Sequence, residues 1–164
     1  MSISAEQVIN SAIYNEKLAM EHYASLAEVL KKAGDASAAR FFEEQGKREK
    51  GHFNSLMKYK EKMFPDSKVA VGETISWITR EVTDEVGSLA GLDDALKVVE
   101  ESEKAAEKFY RGAIDGAEEQ EARILFEKLA DDEARHGRIM GRLRARLEEK
   151  GSIEPPDFAD LGMD

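Results

Sequence analysis

The 164-residue chain contains no cysteine. Disulfides, Cys-ligated zinc sites, iron–sulfur clusters and thiol nucleophiles are therefore excluded for this sequence, and a reducing compartment is compatible with it. No stretch approaches the roughly 18 apolar residues that span a membrane. The first residues also lack the basic and apolar regions of a signal peptide. We therefore expect a cytoplasmic protein that does not contact a membrane.

Proline and glycine are also scarce, with 3 and 12 residues, whereas 35% of residues are charged and 41% are hydrophobic. This composition is typical of a protein built from long helices, and the length suits one domain with one sizeable core. The net charge is −10. Because such a surface repels the phosphates of nucleic acids, we expect no nucleic-acid partner.

Apolar residues recur every three or four positions in four segments, which indicates four amphipathic helices. Ser4 and Gln7 form a capping box that predicts the start of helix 1, and Asp35 predicts the start of helix 2. Helix 3 is expected to start near Asp93, and Gly151 to end helix 4. Short turns join helices 1 and 2 and helices 3 and 4. The prediction is an all-α, antiparallel four-helix bundle.

The domain boundaries follow from the segments without this pattern. Pro65 ends helix 2, and residues from about 66 to 92 form one long crossover between helices 2 and 3. Residues 1–150 therefore make up the bundle. Residues 151–164 form an acidic C-terminal tail.

Two of the three histidines lie in copies of one motif, Glu49-x-x-His52 and Glu133-x-x-His136. Positions i and i+3 of a helix are about 60° apart in azimuth and ~4.5 Å apart along the axis, so both side chains of each motif face one side. A carboxylate and an imidazole in this arrangement can bind one metal ion. Two such turns that face each other can hold two ions.

The motifs belong to an internal repeat. The segment Glu16 to Tyr23 matches Glu103 to Tyr110, because both read Glu-Lys-x-Ala-x-x-x-Tyr. Helices 1–2 therefore correspond to helices 3–4. A duplicated helix pair predicts a pseudo-two-fold axis, which places two equivalent half-sites against each other.

Six ionisable residues lie on the apolar stripes. An unpaired buried carboxylate costs several kcal/mol, and four would exceed the roughly 5–15 kcal/mol that stabilises a domain. Two divalent cations would balance four carboxylates and two neutral imidazoles. Such ligands suit iron or manganese, and zinc is not excluded. The candidate metal ligands are Glu16, Glu49, His52, Glu103, Glu133 and His136.

These motifs and their repeat resemble the rubrerythrin branch of the ferritin-like di-iron proteins, over about residues 5–150. The resemblance implies a centre of two iron ions that Glu49 and Glu133 bridge. It makes Glu16 and Glu103 terminal ligands.

The same resemblance implies that His52 and His136 each bind one iron. Tyr23 and Tyr110, the candidate catalytic residues, would donate hydrogen bonds to the terminal carboxylates across the site and orient them.

Rubrerythrins proper carry a Cys-ligated iron domain, which a chain without cysteine cannot contain, so the resemblance implies an external electron donor. They also place an extra glutamate near the ligand of the third helix. Glu100 and Glu107 both lie one turn from Glu103, and the spacing does not choose between them.

The leading functional hypothesis is a non-haem di-iron oxidoreductase that acts on hydrogen peroxide or O2 in the defence against oxidative stress. The alternatives are a ferritin-type ferroxidase for iron storage or delivery, and a metal-bound interaction module without catalysis. We expect a homodimer or a higher homo-oligomer.

Overall fold

Four long helices make up the part of the chain that the structure, a computed structural model, describes: residues 4–67 and 89–151, without the side chains of residues 89–91. The helices are α1 (Ala5–Lys32), α2 (Ala36–Met63), α3 (Leu89–Gly116) and α4 (Gln120–Lys150). The all-α four-helix bundle is thus confirmed. Most of the predicted crossover and nearly all of the predicted tail lie outside the described residues.

Local capping interactions set most helix ends where the sequence predicts them. The side chain of Ser4 accepts a hydrogen bond from Gln7 N, and the Gln7 side chain accepts one from Ser4 N, which completes the capping box. Asp35 accepts a hydrogen bond from the backbone of Ala38. Gly151 ends α4 in the left-handed conformation, with φ +67°.

The start of α3 differs from the prediction, because the helix begins at Leu89 rather than near Asp93. Asp93 does not cap the helix. Its carboxylate instead accepts a hydrogen bond from Arg144 Nε at 3.1 Å, which ties α3 to α4. The acidic residue that signalled a helix start therefore makes a tertiary ion pair inside the helix.

The bundle pairs α1 with α2 and α3 with α4, and its core consists of two apolar clusters. One cluster contains Leu26 of α1 and Leu96 of α3, and the other contains Ile9 and Tyr110 of the same helices. On every helix a candidate ligand lies between the residues of one cluster and those of the other. The ionisable residues therefore form a layer across the middle of the bundle.

The repeat is visible in the packing. Tyr23 stacks on Phe42 with ring centroids 6.2 Å apart and planes inclined by 25°. Tyr110 stacks on Phe126 with the same distance and the same angle. This agreement is what the pseudo-two-fold axis predicts.

Two helical glycines, Gly51 and Gly137, lie next to the histidines, and an added Cβ would not clash at either position. A Cβ added at Gly137 would lie 3.6 Å from Glu103 Cβ, in ordinary contact. A Cβ added at Gly51 would meet nothing within 4 Å. No helix of the described residues combines the length and the apolarity that crossing a membrane requires.

Candidate di-metal site

All six candidate ligands converge in the polar layer, and each is almost completely buried. The exposed fractions lie between 1% and 7% for Glu16, Glu49, His52, Glu103, Glu133 and His136. Amphipathic helices turn these residues inward because each lies in the apolar stripe of its helix. The layer thus collects four carboxylates and two imidazoles from four helices.

The donor atoms form two overlapping groups, in each of which they lie within 4.8 Å of one another. The His52 position consists of Glu16, Glu49, His52 and Glu133. The His136 position consists of Glu49, Glu103, Glu133 and His136. Glu49 and Glu133 belong to both groups, so each could bridge two ions.

In both histidines the Nδ1 atom faces the carboxylates. His52 Nδ1 lies 3.0 Å from Glu133 and 3.5 Å from both Glu16 and Glu49. His136 Nδ1 lies 3.0 Å from Glu49, 3.3 Å from Glu133 and 3.7 Å from Glu103. The two rings are nearly parallel, with centroids 5.7 Å apart. Each imidazole therefore presents one nitrogen to its own position.

Two buried tyrosines orient the carboxylates that are not shared. The Tyr110 hydroxyl donates a hydrogen bond to Glu16 Oε1, and the Tyr23 hydroxyl donates one to Glu103 Oε1. Each bond joins one helix pair to the other. The second oxygen of each carboxylate is thereby left to face the centre.

Buried polar atoms without a hydrogen-bond partner of suitable geometry indicate whether this layer fits metal ions. Six such atoms belong to this layer and come from Glu16, Glu49, His52, Glu133 and His136. Leaving them unpaired costs about 1–3 kcal/mol each. Hard carboxylate oxygens with two imidazoles are the donor set of iron and manganese, so the residues fit two divalent ions.

The electrostatics of the metal-free layer reflect the crowding of acids and bases. Burial raises the pKa of Glu16 to about 7, and burial with three neighbouring carboxylates raises the pKa of Glu133 well above its usual value. Burial alone would raise the pKa of Glu49, but the two histidines hold it well below its usual value. Burial would lower the pKa of His52 and His136, yet the surrounding carboxylates raise both. The layer therefore holds protons at neutral pH that metal ions would displace.

One residue of the site was not predicted from the sequence. Asp132 Oδ2 lies 3.4 Å from Nε2 of His52, on the side of the ring that faces away from the carboxylates. Asp132 directly precedes Glu133, and neighbouring residues of a helix point about 100° apart. The periodicity that places Glu133 inward therefore does not indicate Asp132.

Neither of the two extra glutamates joins the site. Glu100 binds Lys104 and Arg144, the latter at 3.0 Å. Glu107 accepts a hydrogen bond from Arg111 Nε at 2.9 Å. Both carboxylates are thus neutralised by basic side chains, outside the two metal positions.

Within residues 4–67 and 89–151, two openings reach the layer. A cavity of about 10 Å³, enough for one water-sized molecule, lies on the α1–α3 side, lined by the four glutamates together with Asn15, Ala19, Ser102 and Ala106. A larger pocket of about 270 Å³ lies on the α2–α4 side, and we call it the histidine-side pocket. Its lining includes both histidines, Arg48, Gly51, Lys128 and Asp132.

Comparisons with known proteins agree with this fold. A protein of Pyrococcus furiosus, described as hypothetical, superposes with a TM-score of 0.74 at 25% identity, covering 89% of this chain and 91% of that one. The bacterioferritin of Rhodobacter capsulatus superposes with a TM-score of 0.54 at 20% identity, covering 91% and 89%. A search of curated proteins gave no match. The family model of rubrerythrin matches residues 7–144, so this chain belongs to the rubrerythrin family.

Proposed function

We propose that this protein is a di-iron oxidoreductase that reduces hydrogen peroxide or O2. The observation that carries the proposal is the pair of buried donor groups that share Glu49 and Glu133. In this proposal Glu49 and Glu133 would be shared by two irons. Glu16 and His52 would complete one position, and Glu103 and His136 the other. Family membership supports iron over manganese or zinc.

When bound, two ferrous ions would supply one electron each, so that one hydrogen peroxide and two protons would give two waters. The chain's own residues hold the site in place. Tyr23 and Tyr110 restrain the terminal carboxylates through their hydrogen bonds. Because these carboxylates are fixed before the oxidant arrives, little rearrangement is needed when it binds.

The size of the openings supports small reactants. The cavity among the four glutamates admits one water-sized molecule, and its remaining wall is built from small side chains such as Ala19 and Ala106. The histidine-side pocket is lined largely by charged and polar residues. An organic substrate would need a larger apolar chamber beside the metals. Peroxide or O2 fits these spaces better.

Electrons must come from outside these 164 residues, because they contain no cysteine and hence no Cys-ligated iron domain. The proposal therefore includes an external electron donor that re-reduces the iron after each turnover.

The test uses protein loaded with two ferrous ions per chain without oxygen and then mixed with hydrogen peroxide. We expect one peroxide to be consumed per two irons, faster than by the same concentration of free ferrous iron. Glu133→Ala should abolish this reaction, whereas Glu107→Ala should leave it unchanged, since Glu107 binds Arg111 outside the metal positions. A rate equal to that of free iron would overturn the proposal.

Related measurements distinguish this function from the alternatives. A ferroxidase would oxidise many ferrous ions per chain with O2 and little peroxide, and storage would require a hollow shell, which light scattering would reveal by its mass. A homodimer would contradict storage by this protein alone. A colourless protein that binds zinc and does not react with peroxide would indicate an interaction module.

A further inference from the structure

The two histidines differ in the group that faces their outer nitrogen. His52, on α2, presents Nδ1 to the carboxylates of the site, and its Nε2 lies 3.4 Å from Asp132 Oδ2 on α4. When Nδ1 binds a metal, the single remaining ring proton is on Nε2, where it can be donated to Asp132. His52 therefore has a carboxylate behind it.

His136 has no such carboxylate. Its Nδ1 faces three glutamates, but among the described residues no carboxylate lies within ion-pair distance of its Nε2. The repeat gives the reason. Asp132 directly precedes the glutamate of the second Glu-x-x-His motif, and the residue that directly precedes the first is Arg48. Arg48 lines the histidine-side pocket together with both histidines, and arginine has no hydrogen-bond acceptor.

A carboxylate that accepts the outer N–H of a metal-binding histidine fixes the ring orientation and its tautomer, and makes the coordinating nitrogen a stronger donor. An arginine in the equivalent place can do none of this. Its positive charge also lowers the local affinity for a cation. The pseudo-two-fold symmetry of the ligands is therefore broken in the residues behind them.

We propose that the two metal positions are unequal, and that Asp132 makes the His52 position the tighter one, so that it fills first. This inference depends on the proposed di-metal site but not on its reaction. Stepwise binding alone is not sufficient proof, because the first bound cation lowers the affinity for the second through the shared glutamates. The decisive facts are which position fills first and whether Asp132 controls it.

The experiment is a calorimetric titration of the metal-free full-length protein with Zn²⁺, which has no redox chemistry. It is combined with anomalous scattering from crystals grown with one equivalent of Zn²⁺. We expect the anomalous signal mainly at the His52 position. Asp132→Asn should weaken the tighter step by about 10–100-fold and move the first ion toward the His136 position.

Two further variants complete the design. Asp131→Asn changes the neighbouring acid, which pairs with Arg111, and should leave both steps within about twofold of the wild type. Arg48→Asp places a carboxylate at the equivalent position of the repeat and should strengthen the His136 step. Circular dichroism identifies any variant that fails to fold. Because Arg48→Asp is expected to increase affinity, a positive result cannot arise from loss of structure.

The inference is wrong if Asp132→Asn and Asp131→Asn bind Zn²⁺ alike, if Arg48→Asp changes nothing, or if the first ion enters the His136 position. These results would leave the di-metal site intact. Failure of the wild type to bind two ions per chain would instead overturn the proposed site, and this inference with it.

Discussion

Tyr110 on α3 donates a hydrogen bond to Glu16 on α1, and Tyr23 on α1 donates the symmetry-related bond to Glu103 on α3. Each tyrosine is completely buried, and each bond crosses from one half of the repeat to the other. The hydroxyls therefore restrain the two carboxylates that are not shared between the metal positions.

We expect Tyr110→Phe to fold normally and to lose about tenfold in affinity at the His52 position, because Glu16 loses its donor. Zinc calorimetry measures the loss. Tyr59→Phe is the matched control, since Tyr59 lies in the same apolar cluster away from the ligands. Equal affinity in Tyr110→Phe and Tyr59→Phe would show that the bond does not position Glu16.

The stability of the metal-free protein should fall as the pH rises above about 5. The pKa values of His52 and His136 are raised, so their stabilisation is complete below pH 6.5 and is lost as the pH rises toward the folded-state values. The pKa of Glu16 is raised from 4.5 to about 7. The free energy of unfolding therefore decreases as the pH rises between these two values. The lowered pKa of Glu49 has the opposite effect. It stabilises the folded protein above pH 4.5, and this stabilisation is lost as the pH falls below that value.

Thermal unfolding between pH 4 and pH 9 measures this profile. We expect the midpoint of the metal-free protein to be highest at about pH 5 and to fall by several degrees toward pH 8. With two equivalents of Zn²⁺ the midpoint should instead rise over this range, because the metal replaces the protons. A metal-free midpoint that rises between pH 5 and pH 8 would contradict the assigned protonation.

Metal binding should release protons. The raised pKa values favour the protonated forms of His52 and His136 at pH 7, and they favour protonation of Glu16 and Glu133 more than in an exposed carboxyl. Two ions should therefore displace about two or more protons per chain. Calorimetry in buffers with different ionisation enthalpies counts them, and a release of fewer than two would contradict this picture.

Gly51→Ala should stabilise the protein and slow its reaction. A Cβ at Gly51 meets nothing within 4 Å, so alanine should add about 1 kcal/mol through its helix propensity. The same methyl group narrows the histidine-side pocket. Gly112 also has open space around its Cβ position but lies outside this pocket. Gly112→Ala should therefore raise the stability without slowing peroxide consumption. Equal rates in both variants would show that peroxide does not use this pocket.

Gln45→Leu should raise the stability by about 1–3 kcal/mol. Gln45 is completely buried, and neither of its amide atoms has a hydrogen-bond partner in the described structure. Leucine has a similar volume and stands at the equivalent position of the repeat as Leu129. Denaturant unfolding measures the change, and a destabilised variant would show that the amide makes a bond, for example to a trapped water.

The apolar periodicity and the repeat were sufficient to predict the bundle and to bring the six candidate ligands together. They sufficed because a residue such as Glu103 lies in the apolar stripe of its helix, which burial turns inward. The crossed pairing of Tyr23 with Glu103 followed from the resemblance to rubrerythrins. The bonds are present in the structure, whereas the role of the tyrosines in a reaction stays a prediction.

Features that depend on contacts between helices could not be predicted. The sequence predicted a helix start at Asp93, because its ion pair with Arg144 on another helix could not be foreseen. Asp132 lies at the border of the apolar stripe, and only the position of His52 on another helix reveals its partner. For Asp93 and Asp132 alike, the partner is distant in sequence.

The sharing of Glu49 and Glu133 means that neither half of the repeat holds a complete position, since each draws a carboxylate from the other half. A single helix pair would present a glutamate, a Glu-x-x-His turn and a tyrosine whose natural partner lies elsewhere. Such a hairpin could assemble the centre only by associating with a second copy of itself. In the present chain that association is intramolecular, so the joining of its two halves and the binding of metal would each favour the other.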